Sequence, residues 1–146
     1  MADEAFSLKD AIALYSGKID LSHKLWAYLQ VVAVGAAGFA WGGDRPHAVL
    51  VVVLVAFTIF AVTNGALLVS TQREAITVAK AIKSYDEKHP TEIQAFSRAL
   101  KTLKPWRALW VGLAHVGIDV LTIGAIVWQL YAHHGHSHRF DSVVYW

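Results

Sequence analysis

The chain lacks cysteine, and three long stretches of it lack charge. Without cysteine, the 146 residues can form no disulfide, no thiolate metal site and no thiol nucleophile. The sequence also contains no glycine-rich phosphate loop, no HExxH zinc motif, no nucleophile elbow and no cysteine redox motif. Because these signatures of kinases, hydrolases and dehydrogenases are absent, we expect a protein that is not an enzyme.

The stretches that are nearly free of charge cover residues 25–43, 48–69 and 108–132. Asp119 is the only Lys, Arg, Asp or Glu within them. A helix needs roughly 20 apolar residues to cross the hydrocarbon core of a bilayer, and each stretch has about that length. The chain is 55% hydrophobic, which suits one membrane domain and leaves little for a second core. The sequence therefore predicts an all-α membrane protein with three transmembrane helices, at about 25–43, 48–69 and 108–131, forming a bundle within residues 22–132.

Basic residues concentrate in the connection between the second and third stretches. That connection holds eight Lys and Arg residues and four acidic residues, whereas Arg45 is the only Lys or Arg in the loop at 44–47 and Arg139 the only one in the C-terminal tail. Cytoplasmic loops of membrane proteins carry the excess of Lys and Arg, so we expect a cytoplasmic N-terminus and an extracytoplasmic C-terminus in a bacterial inner membrane. The eight basic residues are Arg73, Lys80, Lys83, Lys88, Arg98, Lys101, Lys104 and Arg107.

Three further segments lie outside the predicted spans. Residues 1–21 contain a helix-capping pattern that begins at Ser7, and we expect a short amphipathic helix that ends at Gly17. Residues 73–105 are expected to form a cytoplasmic helical hairpin, and residues 133–146 an extracytoplasmic tail. The apolar positions that should pack within the hairpin are Ile76, Ala79 and Ile82 on its first helix and Ile93, Phe96, Leu100 and Leu103 on its second.

The positive charge of the hairpin at 73–105 permits two interpretations. It could mark a surface that binds nucleic acid. The positive-inside rule and contact with anionic lipid explain the same charges, and we favour this second interpretation. We therefore expect the lipid bilayer, and no nucleic acid, among the partners of the chain.

Asp119 lies near the middle of the third predicted span, with His115 one helical turn before it on the same face. A charged carboxylate at that depth costs at least roughly 2.5 kcal/mol, so it requires a partner. With a rise of 1.5 Å per residue, Gln30, Asn64 and His115 all fall roughly 6 to 7 Å to the cytoplasmic side of the centres of their spans. The sequence therefore predicts one intramembrane polar layer that contains His115, Asp119, Asn64 and Gln30.

This polar layer has three alternative roles. It can fix the register of the helices, Asp119 can dock a basic residue of a partner, or the His115 and Asp119 pair can transfer a proton or cation. The first two fit our main prediction, a small non-enzymatic membrane subunit that assembles with itself or with a larger inner-membrane complex. The third fits the alternative prediction, an oligomer that translocates protons or metal cations through this pair.

The C-terminal tail contains four closely spaced histidines, namely His133, His134, His136 and His138. Imidazoles on a flexible segment can bind Zn, Cu or Ni. No carboxylate or thiolate stands at a fixed helical spacing to complete such a site, so a solvated tail is the simpler interpretation. We keep metal binding at these residues as the alternative and expect no other cofactor.

Overall fold

The described part of the chain is all-helical, as the sequence predicted, and contains no strand. The structure, a computed structural model, describes residues 8–88, 98, 100, 103 and 105–137, with side chains as far as Ala132. Its three helices are α1 at Leu8–Trp41, α2 at His47–Lys88 and α3 at Ala108–Ser137.

Two of these helices, α2 and residues 108–132 of α3, are long and apolar enough to cross a membrane. Only 22% of the most apolar stretch of each is buried inside the protein, so both helices turn most of their apolar surface outward. Helix α1 does not reach the same combination of length and apolarity. Its apolar part begins at Leu25, includes Gln30 and ends with the helix at Trp41, two residues before the predicted end of the span.

Helix α1 is continuous, so the predicted helix end at Gly17 is wrong. The helix runs through Gly17 and Ser22 to Trp41, and residues 8–21 therefore belong to the same helix as the first predicted span. An isolated glycine costs about 1 kcal/mol in a helix interior relative to alanine, whereas proline, which would break the helix, does not occur in α1. The first turns of α1 pack against α2, and this packing offsets the cost.

The chain divides into two compact units, of which unit 1 contains residues 1–26 and 66–112. In unit 1 the beginning of α1 packs against the later part of α2 and against residues of the predicted hairpin. The buried members of this cluster are Ala11, Ile82 and Leu100, and the half-buried ones around them are Leu8, Ile12, Tyr15, Val78 and Leu103. Burial raises the pKa of Tyr15. The contact of Leu100 and Leu103 with α2 was expected, but the contribution of α1 was not, and Ile93 and Phe96 lie outside the described residues.

Two polar contacts in unit 1 fasten other elements to α2. Lys18 on α1 forms an ion pair with Glu74 on α2. The hydrogen bond from Lys18, and then its positive charge, lower the pKa of Glu74. Nε2 of Gln72 donates to the backbone carbonyl of Trp106 at 2.8 Å, which holds the segment before α3 against α2.

Unit 2 contains residues 27–65 and 113–146, and its core combines small residues of α1 with larger residues of α2 and α3. One cluster is built on Ala33, Phe57 and Ala61, and Ile118 of α3 packs against it. A second consists of Ala40, Leu50 and Ile126. Beside it, Nε1 of Trp41 donates to the carbonyl of Ala125 at 3.3 Å, joining the end of α1 to α3. Gly43, with φ of +142°, makes the turn towards α2 in a conformation that favours glycine.

The backbone of α3 remains helical to Ser137, so this helix includes the first residues of the predicted tail at 133–146. The residues after Ala132 include no proline, and the single Gly135 is not enough to end the helix. The backbone at His133, His134 and His136 is thus part of α3, while His138 lies outside the described residues.

Candidate functional site

The buried polar residues of α2 and α3 in unit 2 are linked by hydrogen bonds. Asn64 on α2 and His115 on α3 are 4% and 2% exposed. Nδ2 of Asn64 lies 3.2 Å from Nε2 of His115, and Nδ1 of His115 lies 2.7 Å from Oδ2 of Asp119. These three residues, which we call the Asn64–His115–Asp119 chain, provide a directional contact between the two helices.

The local sequence explains how these three residues come together. His115 and Asp119 are four residues apart on α3, so they share one face of the helix. On α2, Asn64 is followed by Gly65, where a Cβ atom would lie 3.1 Å from Cε1, 3.3 Å from Nδ1 and 3.4 Å from Nε2 of His115. The imidazole therefore lies against the backbone of α2, and the absence of a side chain at Gly65 makes room for it.

The hydrogen-bonding groups allow two proton arrangements with the same heavy-atom positions. Because an amide nitrogen only donates, Nδ2 of Asn64 facing Nε2 leaves the ring proton on Nδ1, which donates to the carboxylate of Asp119. If the amide of Asn64 is rotated, its oxygen accepts from Nε2, and the His115 and Asp119 pair then holds one more proton. The heavy-atom distances are compatible with either arrangement.

The second carboxylate oxygen of Asp119 has no hydrogen-bond donor among the described residues. This atom, Oδ1, is buried, although the Asp119 side chain as a whole is 15% exposed. The nearby Thr122 does not supply the donor, because its hydroxyl donates to the carbonyl of Ile118 at 2.9 Å. Oδ1 is therefore an open acceptor at the edge of the site.

Gln30, the fourth residue of the predicted polar layer, is exposed on α1 and does not join the other three. The buried face of α1 is set by Leu29, Ala33 and Ala40, and Gln30 follows Leu29 by one residue, which rotates it about 100° away around the helix. Depth along the helix placed Gln30 in the layer, but the rotation of α1 turns it outward. Gly65, in contrast, was not singled out from the sequence, although a glycine within an otherwise apolar helix is a recognisable signal of close approach.

No metal centre is visible within the described part of the chain, where no three His, Asp or Glu side chains come together to hold an ion. The side chains of His133, His134, His136 and His138 lie outside the described residues. Binding of Zn, Cu or Ni by these histidines therefore stays a prediction.

The donors and acceptors of the Asn64–His115–Asp119 chain thus form a directional contact between α2 and α3. Comparison of the protein with protein-family models, with curated proteins and with solved structures found no match.

Proposed function

We propose that the protein is a small, non-enzymatic integral subunit of a bacterial inner membrane, which assembles by helix packing with itself or with a larger complex. The observation that carries the proposal is the outward apolar surface of α2 and α3, whose most apolar stretches are only 22% buried. Large exposed apolar patches mark contact with a membrane or with other proteins. Exposed side chains on these faces include Val52, Val55, Ile59 and Val62 on α2 and Leu113, Val116, Val120 and Leu121 on α3.

In this proposal α1 supplies a third span. Its residues 25–41 extend over roughly 25 Å at 1.5 Å per residue, close to the thickness of a hydrocarbon core of roughly 30 Å. Trp26 and Trp41 stand near the two ends of this segment, where tryptophan favours the membrane interface. The basic connection after α2 supports a cytoplasmic N-terminus and hairpin and an extracytoplasmic C-terminus, because cytoplasmic loops carry the excess of Lys and Arg.

Within such a subunit the Asn64–His115–Asp119 chain fixes the register of α2 and α3. Support comes from its burial inside a single copy of the chain, since the side chains of His115 and Asp119 are 3% and 15% exposed. A carboxylate that lined a water-filled path would face that path instead.

A second candidate function is translocation of protons or cations by an oligomer. The observation in its favour is the buried acceptor Oδ1 of Asp119, which has no donor among the described residues and could take up a proton. Docking of a basic residue from a partner subunit would use the same carboxylate, whose side chain is 15% exposed.

The test is purification of the full chain in a mild detergent, after washing the membranes with alkaline carbonate, followed by mass analysis. An integral subunit stays in the washed membrane and migrates either as a defined homo-oligomer or with a partner in constant ratio. Release by carbonate would contradict membrane integration. A monodisperse monomer that carries no partner would contradict the role of a subunit.

The orientation is tested by fusing a reporter that is active only in the cytoplasm. The reporter should be silent after Trp146 and active when inserted near Glu87. The reverse pattern would overturn the orientation without affecting the helical assignment.

A further inference from the structure

A cavity of about 210 Å³ lies in unit 1, between the later part of α2 and the segment that leads into α3. At roughly 30 Å³ per water molecule this volume corresponds to about seven waters, which is enough for a small polar headgroup. Its lining has two chemical parts. The apolar part is Ile76, Ala79, Leu103 and Pro105, and the basic part is Lys80, Lys83 and Arg107.

The three basic residues border the cavity from two different elements. Lys80 and Lys83 are one turn apart on α2, and Arg107 directly precedes α3. Within the described residues none of the three is paired with a carboxylate, because the ion pairs of lysine and arginine there are Lys18 with Glu74 and Lys24 with Asp20. Three cationic residues without a carboxylate partner among the described residues thus border a mainly apolar cavity, an arrangement suited to an anionic group that carries apolar chains.

The cavity also lies where the proposed span α3 enters the membrane. Arg107 is adjacent to the first residue of the apolar stretch Ala108–Ala132. Trp106 and Trp110, on either side of it, are 71% and 58% exposed, and tryptophan with such exposure is typical of the interface between lipid headgroups and the hydrocarbon core. The hydrogen bond from Gln72 to the carbonyl of Trp106 fixes this segment. An anion at Arg107 is therefore at the level of the lipid phosphates.

We propose that this cavity binds the headgroup of an anionic phospholipid. The guanidinium of Arg107 is suited to the phosphate, since its planar donors can bind two phosphate oxygens. Lys80 and Lys83 lie further along α2, and their long side chains favour the outer, hydroxyl-bearing part of a headgroup such as phosphatidylglycerol. A zwitterionic headgroup would instead bring its own cation against the lysines. This inference rests on the proposed function, because it requires α3 to enter a bilayer at Ala108.

The experiment uses the full chain purified in an uncharged detergent. Dioleoyl phosphatidylglycerol and dioleoyl phosphatidylcholine are titrated separately, and bound lipid is counted by native mass spectrometry. The parent protein should bind phosphatidylglycerol more tightly than phosphatidylcholine. Each basic residue near an anionic surface strengthens binding roughly fivefold, so the triple variant Lys80→Gln, Lys83→Gln and Arg107→Gln should bind phosphatidylglycerol about 100-fold more weakly.

A matched control removes the same charge from the same unit but outside the cavity. The variant Arg73→Gln, Lys88→Gln and Arg98→Gln changes exposed residues that are not among the cavity lining, and it should bind phosphatidylglycerol like the parent. The single variant Lys83→Gln provides the comparison if the triple variant does not fold, and it should bind roughly fivefold more weakly. Melting curves of all variants establish that they are folded.

Three outcomes would overturn the proposal. Equal weakening by the two triple variants would show diffuse attraction of lipid to a positive surface. Equal binding of phosphatidylglycerol and phosphatidylcholine would remove the need for an anionic headgroup. Displacement of the lipid by inorganic phosphate at the same concentration would identify a site for soluble anions. In each case the carbonate wash still reports separately whether the protein is integral to the membrane.

Discussion

Replacement of Gly65 by alanine tests the packing on which the Asn64–His115–Asp119 chain depends. The new Cβ atom would lie 3.1 Å from Cε1 of His115, which is closer than the 3.4–4 Å of ordinary van der Waals contact. The imidazole would have to move by a few tenths of an ångström. It cannot do so freely, because Asn64 holds one ring nitrogen at 3.2 Å and Asp119 holds the other at 2.7 Å.

Two opposing contributions set the change in the free energy of unfolding that Gly65→Ala should cause. An extra methyl group in a tightly packed interior costs about 1 to 3 kcal/mol, whereas alanine is about 1 kcal/mol more favourable than glycine within a helix. Gly117→Ala on α3 is the matched control, because nothing lies within 4 Å of a Cβ atom built there. The control gains helix propensity without a clash, so the stability difference between the two variants should be about 1 to 3 kcal/mol.

The measurement is thermal unfolding of both variants in the same detergent. At about 2 to 4 °C per kcal/mol for a chain of this size, Gly65→Ala should melt about 2 to 12 °C below Gly117→Ala. The same alanine introduced into a His115→Ala background should cost nothing, because the clashing ring is gone. Equal melting of the two glycine variants, or a cost that persists without His115, would refute the packing of the imidazole against α2.

Three further outcomes are expected. Asp119→Asn retains a hydrogen-bond acceptor for His115 and should melt like the parent, whereas Asp119→Leu strands Nδ1 of His115 and should cost about 1 to 3 kcal/mol. A Leu variant as stable as the parent would contradict a register role, and proton flux in vesicles that is lost in the Asn variant would favour translocation. Lys18 lowers the pKa of Glu74 from its ordinary 4.5, so this pair stabilises the fold above the unfolded-state pKa, and the contribution disappears as the pH falls through the lower folded-state value. Melting temperatures between pH 6 and pH 3 should therefore converge for the parent and Glu74→Gln at the acidic end. Replacement of His133, His134, His136 and His138 by serine should abolish any calorimetric signal for Zn or Ni without changing the melting curve, and a signal that survives would place the metal elsewhere.

The helical class and the apolar parts of α2 and α3 could be predicted from the sequence, because long stretches that are nearly free of charge leave few alternatives to a helix. The continuity of α1 could not be predicted in this way. Glycine at position 17 is a legitimate local stop signal, but the free energy that decides the matter comes from contacts of Ala11 and Tyr15 with residues remote in sequence, such as Ile82 and Leu100. Local propensity is a weak prior when tertiary packing acts on the same residues.

The candidate site could also be predicted only in part from the sequence. The pairing of His115 with Asp119 follows from helical spacing alone, and depth along the helix was sufficient to associate Asn64 with them. Depth was insufficient for Gln30, because the distance along an axis says nothing about rotation around it. The rotation of α1 is fixed by which small residues approach the other helices, notably Ala33 and Ala40, and that choice depends on the shapes of α2 and α3.

Directional hydrogen bonds acquire a particular importance in the bilayer that we propose. Lipid tails are as apolar as the clusters around Ala33 and Ala40, so exchanging helix–lipid for helix–helix contact gives little hydrophobic driving force, and sliding one apolar helix past another costs little. Among the described residues of unit 2, two contacts oppose sliding: Asn64 to His115 between α2 and α3, and Trp41 to the carbonyl of Ala125 between α1 and α3. Both contacts use α3, so they align α1 and α2 with this helix. Asp119 orients the histidine that makes the first of these contacts, which explains why a carboxylate would be retained in a membrane span without any transport role.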